Sequence, residues 1–156
     1  MEVIESYRYP KENRLHHRSL VEGLFREGKS FYEFPFRVVW RLMSAEEITK
    51  NFRSNVPSGI GAVQMMVTVP KKKRRRAVDR VKIRRRIREA YRLNRREFES
   101  EISSIPGIGT LSVGMVYIHS ENMDYHGIEE KVKRVISQLQ KRIMAKKKEL
   151  VSTKEE

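Results

Sequence analysis

The sequence contains no cysteine. Disulfide bridges, thiolate zinc sites and cysteine nucleophiles are therefore excluded together. Nucleophile elbows, phosphate loops and paired-carboxylate motifs are also missing. Histidine occurs four times without the spacing of a metal site, at His16, His17, His119 and His126. We expect no catalytic residue, no metal ligand and no cofactor bound by the protein alone.

Long apolar runs are missing as well. No segment approaches the roughly 20 apolar residues needed to span a bilayer, and the N-terminus, MEVIESYRYPKENR, lacks the apolar stretch of a secretory signal. We expect a soluble, cytoplasmic protein without a membrane partner or a small-molecule substrate. The length of 156 residues suits one domain. We predict a flexible arm over residues 1–12, a folded domain over 13–145 and a disordered tail over 146–156.

Positive charge is what the sequence has in excess. There are 34 Lys and Arg against 20 Asp and Glu, a formal net charge of +14. The stretch KKKRRRAVDRVKIRRRIREA, residues 71–90, holds twelve of these basic residues and two acids, so the charge is concentrated locally. Such a patch attracts polyanions, nucleic acid first and anionic membrane second. Its first half also resembles a nuclear import signal.

The periodicity of this basic stretch indicates a helix. At about 100° per residue, one face collects Ile83, Ile87, Ala90, Tyr91, Asn94 and Phe98, and basic residues occupy the rest. An import signal is read in an extended segment, whereas this apolar stripe has to dock on a core. Arg binds phosphate oxygens in pairs, and the basic loop over residues 71–76 precedes a helix N-terminus whose free N–H groups favour anions. We therefore interpret the face as phosphate-binding.

The remaining pattern predicts an α+β domain with helices packed on one sheet. Alternating residues predict a strand in which Phe36, Val38 and Trp40 face the core. The predicted elements are a helix at about 17–27, an edge strand at 31–34, a strand at 36–43, a polar loop at 44–61, a strand at 62–69, one helix from about 77 to 104, a strand at 110–119 and a helix from about 125.

Four segments together are similar to a known family. The segment VPKKKRRRAVDRVKIRRRIREAYR resembles the signature of the protein subunit of bacterial ribonuclease P: a strand, Lys-Lys, a basic loop, Ala, an Arg-Asn-Arg triplet and a basic dipeptide. NRL at 13–15, LFREGKS at 24–30 and FPFRVVW at 34–40 are also placed as in that family. The resemblance covers about residues 13–144. Val81 and Lys82 depart from the family's Asn and second Arg.

The resemblance implies a fold and an activity. The fold would be a single αβββαβα sandwich with a left-handed βαβ crossover and a four-stranded, mostly antiparallel sheet. The protein would bind the ribonuclease P catalytic RNA and the 5′ leader of precursor tRNA, and assist endonucleolytic removal of the leader. It would be the protein subunit of an RNA-based endoribonuclease, in which the RNA and its Mg²⁺ perform the hydrolysis.

The resemblance also assigns residues to two surfaces. Contacts to the catalytic RNA would come from the signature residues Lys71, Lys72, Arg75, Arg76, Arg80, Lys82, Arg84, Arg85 and Arg88. A cleft between the first helix and one sheet face would hold the leader, with Val21, Phe25, Arg37, Val39, Arg41, Gln64, Met66 and Thr68. An aromatic such as Phe25 can stack on an unpaired base of any identity. Val21 and Phe25 could equally be core residues.

Two other hypotheses stay open at this point. The chain could be a structural RNA-binding protein, of ribosomal or RNA-chaperone type, with the same crossover fold. It could also be an imported DNA-binding module, in which case the basic segment would be protease-sensitive when free, whereas a folded helix would be protected.

Overall fold

Four strands form one mixed sheet in the order β1–β2–β4–β3. They are β1 (Lys29–Glu33), β2 (Phe36–Ser44), β3 (Val63–Thr68) and β4 (Ile108–Tyr117). The β1–β2 and β2–β4 neighbours are antiparallel and the β3–β4 neighbours are parallel. The computed structural model describes residues 10–72 and 75–154. It confirms the predicted α+β class and the mostly antiparallel sheet.

In residues 10–72 and 75–154, five helices and one short turn surround the sheet. They are a 3₁₀ turn at Lys11–Asn13, α1 (Arg18–Glu27), α2 (Ala45–Asn51), α3 (Ala77–Asn94), α4 (Arg96–Ser103) and α5 (Tyr125–Lys154). Parallel neighbours cannot be joined by a hairpin, so β3 and β4 need a crossover connection. Helices α3 and α4 provide it, which gives the βαβ unit that the resemblance implies. No helix in the described ranges has the length and apolar character that crossing a bilayer requires.

Alternation along β2 builds a core on each face of the sheet. Phe36, Val38 and Trp40 are buried in the larger cluster with residues of α3, α4 and α5, as predicted. Val39 and Met43 point to the opposite face and pack with Leu20 and Leu24 of α1 and Ile48 of α2. The helices therefore divide into two layers. Helices α3 to α5 cover one face of the sheet, and α1 and α2 cover part of the other.

Gly28 allows the end of α1 to approach the sheet. Its backbone N–H donates to the Leu24 carbonyl at 2.8 Å and closes the last turn. A Cβ at this position would lie 2.9 Å from Val39 Cγ1 and 3.1 Å from the Trp40 carbonyl oxygen. Real Cβ atoms do not approach neighbours this closely without displacing them. Glycine at position 28 therefore determines how closely α1 lies over β2.

Two sequence predictions of secondary structure were wrong. The stretch 44–61 is not loop throughout, because α2 occupies Ala45–Asn51. The Ser44 side chain accepts from the Glu47 N–H, and the Glu47 side chain accepts from the Ser44 N–H, a capping box that satisfies two orphan donors. The single helix expected from about 77 to 104 is two helices that meet at Arg95. The second of them, α4, buries Phe98 and Ile102.

The chain ends differ from the predicted boundaries. Helix α5 continues to Lys154, into the region predicted as a tail, and Ile143 is the last buried side chain among those described up to Lys147. Ala, Lys, Glu and Leu in AKKKEL are strong helix formers, which favours a helical backbone here. Residues 1–9 of the predicted arm, and Lys73 and Arg74 of the basic loop, lie outside the described residues. The domain limits and the disordered tail stay predictions.

Candidate nucleic-acid interface

Helix α3 presents its basic side chains because its apolar stripe is anchored in the core. Ile83, Ile87, Ala90 and Tyr91 are at most 3% exposed. The residues between them point outward. Of the predicted contacts on this helix, Lys82, Arg85 and Arg88 are exposed, and Arg80 and Arg84 are partly exposed. The helical interpretation of the basic stretch is confirmed from Ala77 onward.

A groove of about 760 Å³ runs between α3 and the β3 edge of the sheet. One wall is α3, and the other is the segment Arg14–His16 together with Met65–Val67 of β3. The α3 wall consists of Val81, Arg84, Arg85, Arg88, Glu89 and Arg92. Val81 is 46% exposed here, so it contributes apolar surface to a basic groove instead of packing in the core. This position explains an apolar residue that the helical wheel places among arginines.

Most of the charge in this groove is not neutralised from within the protein. Glu89 accepts a 2.6 Å bond from Arg92, which lowers the pKa of Glu89 and keeps it ionised. In the described part of the chain, Arg84, Arg85 and Arg88 have no ion pair with a carboxylate. Three guanidinium groups thus line the groove with their donors available to an external anion.

The basic loop leads directly into the start of α3. Lys71, Lys72 and Arg75 are exposed and line a shallow depression of about 440 Å³. Arg76, also exposed, is the N-cap of α3 and makes no side-chain cap hydrogen bond. The first N–H groups of a helix need partners other than its own carbonyls. The loop side chains and the uncapped helix start therefore lie together on the surface that the resemblance assigns to RNA.

The predicted cleft residues lie on one face of the sheet in three cross-strand rows. The register aligns Arg41, Ser112 and Gln64 in the first row, Val39, Gly114 and Met66 in the second, and Arg37, Val116 and Thr68 in the third. Directly opposed residues project to the same face of a sheet. The structure therefore brings the strand residues of the predicted cleft together, with α1 above the first two rows.

Two of these residues cannot contact RNA in this structure. Val39 is 2% exposed and packs in the cluster beneath α1. Gln64 is fully buried and donates from Nε2 to the Glu12 carbonyl at 2.9 Å. The prediction that they line an open cleft is corrected, because α1 and the N-terminal segment cover this end of the sheet. Val21, Arg37, Met66 and Thr68 are partly exposed at its open end.

Phe25 lies at the mouth of this cleft, 45% exposed. A Cβ added to Gly114 would lie 3.3 Å from Leu24 Cδ2 and 3.5 Å from Phe25 Cζ, so the bare backbone of β4 lets the ring settle onto the sheet. Arg41 is held differently. Its guanidinium lies beside Gly23 and bonds Glu27 at 2.9 Å, with 18% of the side chain exposed. Arg41 therefore fastens α1 to the sheet, and the Phe25 ring remains accessible.

The sequence and the fold were compared with those of known proteins. A family profile described as Ribonuclease P matches residues 9–140. The chain belongs to the ribonuclease P protein family. Its match covers α1, the whole sheet, the basic helix α3 and about half of α5.

Relatives in the ribonuclease P family support the same assignment over a shorter stretch. The proteins named ribonuclease P protein component from two strains of Porphyromonas gingivalis are each 40% identical over 85 residues, 54% of this chain and 53% of the relative. The chain thus matches about half the length of these curated relatives.

Solved ribonuclease P proteins share the fold. The Staphylococcus aureus protein aligns with a TM-score of 0.55 and 18% identity, over 81% of this chain and 94% of that one. The Thermotoga maritima protein aligns with a TM-score of 0.54 and 22% identity, over 80% of this chain and 96% of that one. At these identities the likeness establishes the α+β architecture and its element order.

A buried polar network positions one wall of the groove. Glu99 Oε2 accepts from Asn13 Nδ2 at 3.0 Å and from Arg95 Nη1 at 2.7 Å, and Tyr91 donates to Oε1 at 2.8 Å. Burial raises the pKa of Glu99. Just beyond Asn13, the Leu15 N–H donates to the Met65 carbonyl at 3.0 Å. The network thus ties the N-terminal segment to the junction of α3 and α4.

Sequence reasoning missed several residues at these surfaces. Arg14 and His16 line the groove, because the bond from Leu15 to β3 brings a distant segment beside α3. No local pattern could show that contact. Tyr32, 69% exposed, is opposite Arg37 in the register and so faces the cleft side. The alternation of side chains in FYEF, residues 31–34, could have predicted that Tyr32 faces this side.

Proposed function

We propose that this chain is the protein component of ribonuclease P, which binds the catalytic RNA and the 5′ leader of precursor tRNA. In this role it assists the Mg²⁺-dependent cleavage that gives the mature 5′ end of tRNA. The observation that carries the proposal is the α3 groove, where three arginines without carboxylate partners surround the exposed Val81. Family membership supplies the context.

The catalytic RNA would occupy the groove and the adjoining loop. A guanidinium donates two parallel N–H bonds to a phosphate, so Arg84, Arg85 and Arg88 suit a backbone that bends along the groove. The apolar side chain of Val81 can contact a ribose or a base, because these groups are uncharged. Lys71, Lys72 and Arg75 extend the same positive surface to the start of α3. These contacts fix position and carry no sequence information.

The leader would lie across the open end of the cleft. Phe25 can stack on an unpaired base whatever its identity, and Arg37 can contact the phosphate beside it. This combination suits a substrate whose leader sequence varies from one tRNA to the next. Met66 and Thr68 of β3, with Val116 of β4, provide a mostly apolar floor. Tyr32 adds a second exposed ring on the same side.

On this proposal the protein contributes binding and position, and the RNA contributes the chemistry. No cluster of three or more His, Asp or Glu side chains suited to a metal ion is found in residues 10–72 and 75–154. The proposal assigns the Mg²⁺ ions to the RNA, as the family resemblance implies. Holding the leader and the RNA in one geometry makes the cleavage step effectively intramolecular, which is a large source of rate enhancement.

RNA-binding measurements with matched variants test the proposal. Arg84→Ala with Arg88→Ala should weaken binding to a bacterial ribonuclease P RNA at physiological salt, while circular dichroism shows an intact fold. If about six phosphates are contacted, the log–log slope of affinity against salt should be near −4 for single strands and steeper for duplex.

The matched control is Lys50→Ala with Lys133→Ala. These lysines are 76% and 58% exposed on α2 and α5, and each makes only a long ion pair on its own helix. The control removes the same charge from elsewhere and should change binding far less. Equal losses in the two double variants, or none in either, would contradict the assignment of the groove.

A further inference from the structure

A second cationic surface lies at the β1 edge of the sheet, opposite the edge that carries the groove. Here the second half of α5 lies against β1. The Arg142 guanidinium lies 4.5 Å from the centroid of the Phe31 ring. The Lys29 and Lys146 ammonium groups lie 5.8 and 5.9 Å from the centroid of the Trp40 ring. We call Lys29, Arg142 and Lys146 the β1-edge cluster.

The register brings the two aromatic rings of this cluster together. Lys29 is opposite Trp40 and Phe31 is opposite Val38, so Phe31 and Trp40 are diagonal neighbours on the core face. The rings are 6% and 2% exposed, and the cations therefore lie on the outer rim of the core. Stacking on the aromatic faces restrains charged side chains that would otherwise be free to rotate. Three cations are thus held in one small area.

Carboxylates are absent from the part of α5 that builds this cluster. From Lys131 to Lys148 the sequence has eight Lys or Arg and no acid. Two of them near the start of this stretch are paired with carboxylates: Lys133 with Glu129, and Arg134 with Glu130 and Glu33.

In the described side chains, no ion pair is made by the β1-edge cluster or by Lys141 and Lys147. Like charges held together without a counter-ion repel one another, and an external anion would relieve that repulsion. Among the described side chains, these restrained cations lack a carboxylate partner, which distinguishes this surface from the paired charges earlier on the same helix.

We propose that the β1-edge cluster is a second RNA-binding surface, which contacts the phosphate backbone of a segment other than the one in the α3 groove. The inference rests on the proposed function, because that function supplies an RNA large enough to reach both edges. Edge to edge, the sheet spans three strand spacings, about 14 Å. One phosphate cannot serve both surfaces over that distance. On this proposal the phosphates come from two RNA segments, which the protein would bridge.

Salt dependence measures the number of phosphates this surface contacts. The variant Lys29→Gln, Arg142→Gln, Lys146→Gln should bind ribonuclease P RNA more weakly, with a shallower salt slope. Each duplex phosphate contributes about 0.9 to the log–log slope, so three lost contacts should shrink the loss of affinity between 50 and 200 mM salt by about 40-fold. An unchanged slope overturns the inference.

Two further variants keep this test independent of folding and of total charge. Because Arg142 packs on Phe31, its replacement could also disturb the core. The variant Lys141→Gln, Lys147→Gln is therefore measured as well. These two residues are sequence neighbours of Arg142 and Lys146, and no ring contact is seen for either in the described side chains. The charge-matched control is Arg18→Gln, Lys50→Gln, Lys133→Gln, from exposed positions on α1, α2 and α5. A control effect equal to that of the cluster variant overturns the inference.

Directed cleavage locates the two RNA segments. Because the chain has no cysteine, a single substitution gives one attachment site for an iron chelate. Met144→Cys, 40% exposed on α5, probes the β1 edge, and Val81→Cys probes the groove. We expect radical cleavage of ribonuclease P RNA at different positions from the two sites. Cleavage from position 81 alone overturns the inference, and failure of the wild-type chain to bind this RNA overturns the proposed function.

An anionic membrane is the competing occupant of such a surface. Sedimentation with vesicles containing phosphatidylserine tests it directly. The inference expects no vesicle binding that depends on the β1-edge cluster. Vesicle binding that the triple Gln variant abolishes, with RNA binding unchanged, overturns it.

Discussion

Replacing Phe25 tests separately its packing on the sheet and its proposed contact with the leader. The ring is 45% exposed, so Phe25→Ala removes about half of the burial that a core phenylalanine would lose. Complete Phe→Ala truncations cost about 3–5 kcal/mol, which predicts a loss of about 2 kcal/mol in the free energy of unfolding. Base stacking is worth about 1–3 kcal/mol, so affinity for precursor tRNA should fall about 5- to 150-fold.

The assay compares two RNAs bound by the reconstituted complex of protein and catalytic RNA. Precursor tRNA carries the leader and mature tRNA does not, so only the first should lose affinity when Phe25 is truncated. Phe25→Leu is the matched control, because leucine restores much of the packing but cannot stack as a ring. It should recover stability and leave precursor binding weak. Equal losses for both RNAs, or normal precursor binding by Phe25→Ala, would refute the placement of the leader at this ring.

Three further predictions concern Val39, Val81 and Glu99. Val39→Ala should lower the free energy of unfolding by about 2 kcal/mol without a selective loss of precursor binding, and a leader-specific defect in a stably folded variant would contradict its burial. Val81→Asp should weaken RNA binding about tenfold, or about 1.4 kcal/mol, and leave denaturant stability within about 0.5 kcal/mol; unchanged affinity would count against the groove. Burial raises the pKa of Glu99, so its stabilising contribution is present below the unfolded value of 4.5 and is lost as pH rises through the folded value. Denaturant titrations should therefore show a fall in stability over this range that Glu99→Gln lacks, and identical pH profiles would contradict the assignment.

Much of the scaffold was predictable because its signals are local. The stripe Ile83, Ile87, Ala90 and Tyr91 showed both that α3 is a helix and which face it buries. Alternation in β2 separated the core residues from those beneath α1. The capping box of Ser44 and Glu47 is also a local signal, and reading S-A-E-E as a helix start would have placed α2 correctly.

The candidate sites were less predictable because they depend on contacts between distant segments. Val39 and Gln64 share the alternation of accessible strand residues, and only the position of α1 and the N-terminal segment makes them inaccessible. The groove exists because Leu15 bonds to β3, fifty residues later in the sequence. That same contact sets Arg14 and His16 opposite Val81 in the groove. Spacing on one helix could show which side chains point outward but not what stands opposite them.

The proposed function is tested most directly by single-turnover cleavage of precursor tRNA with reconstituted ribonuclease P. A bacterial ribonuclease P RNA is held at an Mg²⁺ concentration too low for efficient cleavage by RNA alone, and the purified chain is added. If this chain is the protein component of ribonuclease P, the leader should be released rapidly at the mature 5′ end. The double variant Arg84→Ala, Arg88→Ala should require much more protein for the same rate. RNA binding by the wild-type chain without stimulation of cleavage would contradict the proposed function and favour a structural RNA-binding protein of the same fold.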